Sequence, residues 1–278
     1  YIGGLGVFLV AINFSFLPVP IVWLLAIAGA FVFGAAWAFI PAYLQAKRGS
    51  HVVITTIMFN FIASSLMVYL LVDVIRDMDQ MGPHTVALPE EIWLPTFKDL
   101  AALFGMKIRY SPLNLSFLLA IVASFFVWFL VWKTKWGYEM RAVGHNTQAA
   151  IYAGISPYKN IIIAMLISGG LAGLLSINEI LGVHHKIVSG FPAGYGFTGI
   201  AVALMGRNHP IGIFPAAFLF GILYQGGSEV TFDMPNITRY MFVAVQGVII
   251  LFSGALENLF RPQIESFFVN RLNRQVEA

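Results

Sequence analysis

Val52–Val72 runs without a single Asp, Glu, Lys or Arg, and about 20 apolar residues in a helix suffice to cross the hydrocarbon of a bilayer. The same pattern recurs at Pro20–Ala42, Leu113–Trp132 and Tyr240–Leu256, and at Asn160–Leu181 with Glu179 as its one charge, with a shorter run at Ile2–Leu17. The chain is 59% hydrophobic and 10% charged, against roughly 25% charged in soluble domains. The expected fold is an all-α polytopic membrane protein of about six full spans, forming one transmembrane domain over residues 1–278. The lipid bilayer is its first partner. The chain opens at Tyr1 without an initiator Met and enters an apolar run at once. It therefore reads as N-terminally truncated, with upstream spans expected.

Tyr195–Gly206 and Ile211–Gly226 are separated by Arg207-Asn208-His209-Pro210. A dozen helical residues rise only about 18 Å, so the first arm cannot cross alone, and the pair reads as a broken or re-entrant helical hairpin. Such breaks are tolerated where they are buried in protein or line a cavity. Arg207 reads as a cap that holds the break. Gly3–Ala11 faintly echoes Phe197–Met205.

Basic residues orient the spans. Lys47 and Arg48 share one loop, Lys133, Lys135, Arg141 and Lys159 another, and Arg261, Arg271 and Arg274 the 257–278 tail. With the hairpin returning to its own side, all three groups fall on one face, the cytoplasmic one. The opposite face holds Arg76, Lys98, Lys107, Arg109, Lys186 and Arg239, and the 75–112 loop lies outside, close to neutral. In that loop Thr96–Met106 is expected to form a short amphipathic helix. The loop is either a contact for an extracytoplasmic protein or a spacer.

Several chemistries are excluded. The chain has no cysteine, hence no disulfide and no thiolate site. It has no basic run suited to nucleic acid and no G-x-x-x-x-G-K-[ST] phosphate loop. Ser168-Gly169-Gly170 lacks the G-x-S-x-G context of a hydrolase. His184-His185 diverge on a helix and have no ligand at metal-site spacing. No catalytic residue, metal or cofactor is expected in this chain.

The polar candidates lie inside the spans. Thr56, Asn60 and Ser64 recur one helical turn apart and form a stripe that must face protein or water. They either hydrogen-bond a neutral polar solute or bridge packed helices. Glu179, near the outer end of its span, either accepts from a solute or pairs with Lys186. Tyr195, Phe197 and Thr198 open the first hairpin arm, where aromatic rings either stack on a base or simply pack. Gly169-x-x-x-Gly173 and Ala30/Gly34/Ala38 are small-residue seams for close helix contact.

Trp136–Ile155 is a polar island between apolar spans. Asn146 is a good helix N-cap, Gly154 can end the helix, and Pro157 prevents it from resuming. Ala149, Ala150, Tyr152 and Ala153 then present a slim face.

This island resembles the cytoplasmic coupling segment of permease subunits in ATP-binding-cassette importers, in the branch that includes branched-chain amino acid, simple-sugar and nucleoside permeases. Gly49–Ala63, Ser168–His184 and Gly194–Gly212 match the same branch and look most like its nucleoside and simple-sugar members. The resemblance implies a type II importer-like helical core and a homo- or heterodimer with a second permease subunit. It further implies cytosolic ATP-binding subunits that carry out the hydrolysis, an extracytoplasmic solute-binding protein, and a bacterial inner (plasma) membrane location. It assigns residues 133–159 to coupling, with Glu139 and Arg141 as polar contacts to the ATPase. Gly144 would supply a tight turn, and Asn146, Ala149, Ala150, Tyr152 and Gly154 would belong to the docking helix. The substrate pathway would take in Thr56, Asn60, Glu179, Tyr195, Phe197 and Thr198. The competing reading is a secondary transporter driven by an ion gradient, which requires a membrane-buried carboxylate or His; Glu179 comes nearest.

Overall fold

The computed structural model describes residues 1–77, 82–103, 105, 113–234, 241–242, 244–249 and 251–252. The tail arginines, Lys107, Arg109, Arg239 and most of the far end of the last apolar run lie outside these residues. Among the described residues the secondary structure is helical, with only two isolated antiparallel bridges, His84 to Val188 and Thr96 to Asn114. The contacts divide the chain into two units, Tyr1–Ala193 and Gly194–Ala278.

The first unit begins with α1 (Ile2–Asn13) and α2 (Val19–Arg48). Pro18 and Pro20 flank the start of α2, where the missing N–H costs nothing. Gly49, at φ 65°, ends it in a left-handed turn whose amide donates to Gln45 O. The 30 residues of α2 rise about 45 Å, more than one hydrocarbon thickness. Next come α3 (Val52–Tyr69), prolonged by a π-helical turn at Leu70–Val74, and α5 (Ser116–Lys133). The last span of this unit runs from α8 (Pro157–Gly173) through α9 (Leu175–Ile177) to a second π-helical turn at Asn178–His184. Val19–Arg48, Val52–Val74, Ser116–Lys133 and Pro157–His184 are each long and apolar enough to cross a membrane.

The two small-residue seams meet each other. A Cβ on Gly34 would run into the carbonyl of Gly169, one on Gly169 into Ala38, and one on Gly173 into the carbonyl of Ala30. A Cβ on Gly3 of α1 would lie 2.6 Å from Gly173 Cα and 3.2 Å from the Ala30 carbonyl. Three backbones thus approach more closely than any side chain allows. Lipid tails are as apolar as leucine, so this dispersion contact, rather than exclusion from water, holds helices together in a bilayer.

Residues 82–96 form a strap over the end of the α8–π span. Leu94 N–H donates to Leu181 O (3.0 Å), Leu88 N–H to His185 O (2.8 Å) and Thr85 N–H to Ile187 O (3.1 Å). The buried Thr85 hydroxyl accepts from Ile187 N–H at 3.0 Å. Trp23 Nε1 donates to Ile92 O at 2.9 Å and pins the strap to α2. The short loop helix is α4 (Phe97–Leu103). Asp99 Oδ2 accepts from Thr96 N–H (3.0 Å) and Oγ1 (2.7 Å), a capping exchange at its start. Those two bonds hold the Asp99 carboxyl below its usual pKa.

The second unit contains α10 (Tyr195–Met205) and α11 (Pro210–Asp233). Ala201 and Val202 pack against Ala216 and Phe220. The break expected between the arms is present, made by the backbone: Arg207 and Asn208 both take positive φ, 55° and 53°. His209 then caps α11, its Nδ1 accepting from Ile211 N–H at 3.3 Å. The arms are unequal. The 11 residues of α10 are too short to cross, whereas the 24 residues of α11 rise about 36 Å. The second arm therefore extends past the expected Gly226 boundary and is itself long and apolar enough to cross.

Candidate functional site

The polar island between α5 and α8 folds as two capped helices. Thr134 ends α5 and starts α6 (Lys135–His145), its hydroxyl donating to Leu130 O (2.6 Å) and accepting from Gly137 N–H (3.2 Å). A Cβ at position 137 would strike the carbonyls of Leu130 and Val131, so only glycine allows the chain to turn there. Asn146 caps α7 (Thr147–Tyr152) as expected, Oδ1 accepting from Gln148 N–H (3.0 Å) and Ala149 N–H (3.1 Å). Gly154, at φ 78°, closes it. Its N–H donates to Ile151 O and that of Ile155 to Ala150 O, both at 2.9 Å, which satisfies two terminal carbonyls.

Two expectations for this segment are corrected. Gly144 makes no tight turn; it is the penultimate residue of α6, and the chain turns at Asn146, whose φ of −155° is extended. Ala150 is not on the presented face but buried at 3% exposure, because successive helical residues diverge by about 100°. Ala149 and Tyr152 are exposed, Tyr152 at 96%, and Arg141 is exposed on α6. Glu139 is turned inward. Its Oε2 accepts from Asn160 Nδ2 of α8 at 3.3 Å, and Lys135 Nζ lies 3.8 Å from Oε1. The surface helix is thereby tied to a membrane span.

A cavity of about 390 Å³ opens between α2, α3 and α8, with the start of α1 at its edge. Thr56 and Asn60 both line it, opposite Trp37 of α2 and Ser168 of α8. The Thr56 hydroxyl is engaged by its own helix, donating to Val52 O or Val53 O (2.9 and 3.1 Å). Phe59 meets Trp37 edge to face, centroids 5.8 Å apart. The indole Nε1 of Trp37 is buried and reaches no acceptor among the described residues. Ser64 is half-buried and is not among the lining residues. Trp37 and Phe59 are not singled out by the sequence, and Ser168 is weighed there only as a hydrolase nucleophile and set aside. The only local signal is that Trp37 interrupts an Ala/Gly-rich face of α2.

Glu179 sits elsewhere, 6% exposed. Its partner is not Lys186: Oε1 accepts from Asn178 Nδ2 (3.1 Å), and Oε2 lies 3.5 Å from His184 Nε2. In an α-helix residues five apart diverge by more than a third of a turn, but the wider π-helical turn brings them over one another. Asn178 Oδ1 in turn accepts from Asn114 Nδ2 (3.0 Å) and Ser116 Oγ (2.9 Å). The carboxylate therefore belongs to a polar network joining α5 to the π turn. His185 stacks on Trp93 of the strap at 3.7 Å and 12°. No group of three or more possible metal ligands occurs among the described residues. Tyr195, Phe197 and Thr198 belong to the second unit, where Tyr195 packs edge to face on Tyr224 (6.3 Å) and Phe197 is exposed.

Residues 1–254 match the family model described as branched-chain amino acid transport system / permease component. The chain is 38% identical over 231 residues to the guanosine ABC transporter permease of Bacillus subtilis, covering 82% of this chain and 63% of that one. It is 32% identical over 266 residues to the glucose ABC transporter permease of Haloferax volcanii (95% and 69%). With the nucleoside ABC transporter permease of Lactococcus lactis the identity is 34% over 246 residues (84% and 65%). The matches thus span 63 to 69% of the length of these three relatives. No solved structure matches the chain significantly.

Proposed function

The chain belongs to the branched-chain amino acid transport system permease family, and on that premise we propose that it is the membrane-spanning permease subunit of an ATP-driven importer for a nucleoside or a simple sugar. The family match over residues 1–254 carries this reading. It supports an ATP-driven importer and not an ion-driven transporter.

In this reading the protein is a multi-pass subunit of the bacterial inner membrane and works as a dimer with an identical or related permease. Hydrolysis takes place on separate cytosolic ATP-binding subunits, and an extracytoplasmic solute-binding protein delivers the substrate. The ATPase docks on the island. Exposed Arg141 and Tyr152 make the contact, while Asn146 and Gly154 keep α7 a closed, rigid knob. Glu139 acts as a positioning residue that passes displacement of α6 to α8 through Asn160. Thr56 and Asn60, which line the cavity of the first unit, are solute-path residues, and Tyr195, Phe197 and Thr198 stay candidates of the second unit taken by itself.

The test is uptake of labelled nucleosides and glucose by the full-length permease, co-expressed with its ATPase and binding protein. A matched strain carries the ATPase with its phosphate-loop lysine mutated. Uptake lost in that strain is the expected result. Uptake that persists there but collapses with the proton or sodium gradient overturns the reading. Within the importer, Arg141→Glu is expected to abolish ATPase co-purification while membrane insertion stays intact; unchanged association removes Arg141 from the contact.

A further inference from the structure

The cavity between α2, α3 and α8 has the walls of a site for a flat, edge-polar solute. Its volume of about 390 Å³ lies in the range of ligand sites, roughly 300–1,000 Å³. Most of its lining is apolar: the rings of Trp37 and Phe59, the Met165 side chain, and the bare backbone at Gly34, Gly169 and Gly173. The polar side chains are few. They are the Tyr1 phenol at the edge, the Trp37 indole, the Asn60 amide, and the hydroxyls of Thr56 and Ser168, of which Thr56 is already committed to its own helix.

The unpaired groups are informative. Trp37 Nε1 is a buried donor with no acceptor among the described residues, an arrangement that costs about 1–3 kcal/mol unless something accepts from it. The Asn60 amide is exposed and offers both a donor and an acceptor. A donor–acceptor pair of that kind matches the edge of a nucleobase, as Asn and Gln do in reading adenine, and aromatic walls stack on its face. A hexose fits less well. Its hydroxyls radiate on every side, and each one left unpaired against apolar walls costs about 1–3 kcal/mol.

We propose that this cavity receives the nucleobase of a nucleoside, with Trp37 and Phe59 as its aromatic wall, Trp37 Nε1 donating to a base acceptor and Asn60 pairing with the base edge. The assignment rests on the importer reading and selects the nucleoside over the sugar within it.

The test uses the full-length permease with its ATPase and binding protein, measuring ATP-dependent uptake of labelled guanosine, adenosine and glucose. Trp37→Phe keeps an aromatic ring, though a smaller one, and removes the N–H; Asn60→Leu removes the amide. Each is expected to slow nucleoside uptake about tenfold, the loss of one hydrogen bond. Membrane abundance and substrate-free ATP hydrolysis should stay at wild-type levels. Phe61→Leu, on the exposed side of the same helix, is expected to leave uptake unchanged. Nucleoside uptake at wild-type rate in both cavity variants overturns the site while the importer reading stands. ATP-dependent uptake of glucose but of no nucleoside overturns the base assignment alone. Uptake indifferent to the ATPase lysine overturns the importer reading and this proposal with it.

Discussion

Asn160 Nδ2 donates to Glu139 Oε2 across 3.3 Å, so the surface helix α6 is fastened to the first turn of the span α8 by a bond between side chains. Asn160 is only 3% exposed and also donates to Ser156 O at 3.1 Å. Its amide is thus held from both sides, and in the proposed coupling a push on α6 would reach α8 through it. Glu139→Ala removes one charge-assisted acceptor, worth about 1.5–3 kcal/mol, and leaves Arg141 and Tyr152 in place. The expected outcome is a transporter that still binds its ATPase and hydrolyses ATP but imports less solute per ATP. Proteoliposomes that report both fluxes give the ratio directly. An unchanged ratio would show that displacement reaches α8 by another route.

The glycines divide into those that set helix spacing and those that do not. Gly169→Leu places a branched side chain where Gly34 O lies 2.8 Å from an added Cβ, and a backbone atom cannot swing aside. Overpacking typically costs 1–3 kcal/mol, and here it must part α2 from α8. The expected result is a clearly lowered melting temperature in detergent and loss of the monodisperse peak. Gly144→Ala is expected to do the opposite. Gly144 is helical and an added Cβ meets nothing within 4 Å, so alanine should stabilise α6 by roughly 0.5–1 kcal/mol. Had that residue formed a tight turn, the same substitution would disrupt the island.

These contrasts show what could be read in advance. The spans were legible because long uncharged runs admit few alternatives in lipid, and Asn146 and Gly154 were legible because caps are made within a few residues. Each glycine seam was visible as well, but not that Gly34 would face Gly169, since the pairing depends on atoms more than a hundred positions apart. Helix α6 was missed because Gly137 and Gly144 lower its propensity; Thr134 and the close approach of α5 outweigh them. The partner of Glu179 was misjudged because helical spacing assumes 3.6 residues per turn, and the Asn178–His184 turn is wider. Trp37 looked like any apolar residue. Only the convergence of three helices turns its N–H into a buried, unanswered donor.

Acid is expected to release the strap at residues 82–96. His185 lies just past the end of its span, stacked on Trp93, with the Leu88 amide bonded to its carbonyl. Burial lowers the pKa of its imidazole below the usual 6.5, with the neighbouring His184 acting in the same direction. The folded state therefore resists a proton that the detached strap accepts. Above about pH 6.5 the imidazole is neutral in both states, and attachment is at full strength. As the pH falls below 6.5 the detached form gains protons first, so the stabilisation is lost progressively down through the folded pKa. Limited proteolysis of the purified complex between pH 8 and pH 5 should show faster cleavage within 82–96 at the acid end. His185→Asn, which tolerates the left-handed backbone at φ 57° and cannot titrate, should raise cleavage at pH 8 by losing the stack and flatten its pH dependence. Cleavage that still accelerates below pH 6.5 in that variant would assign the acid response to another group.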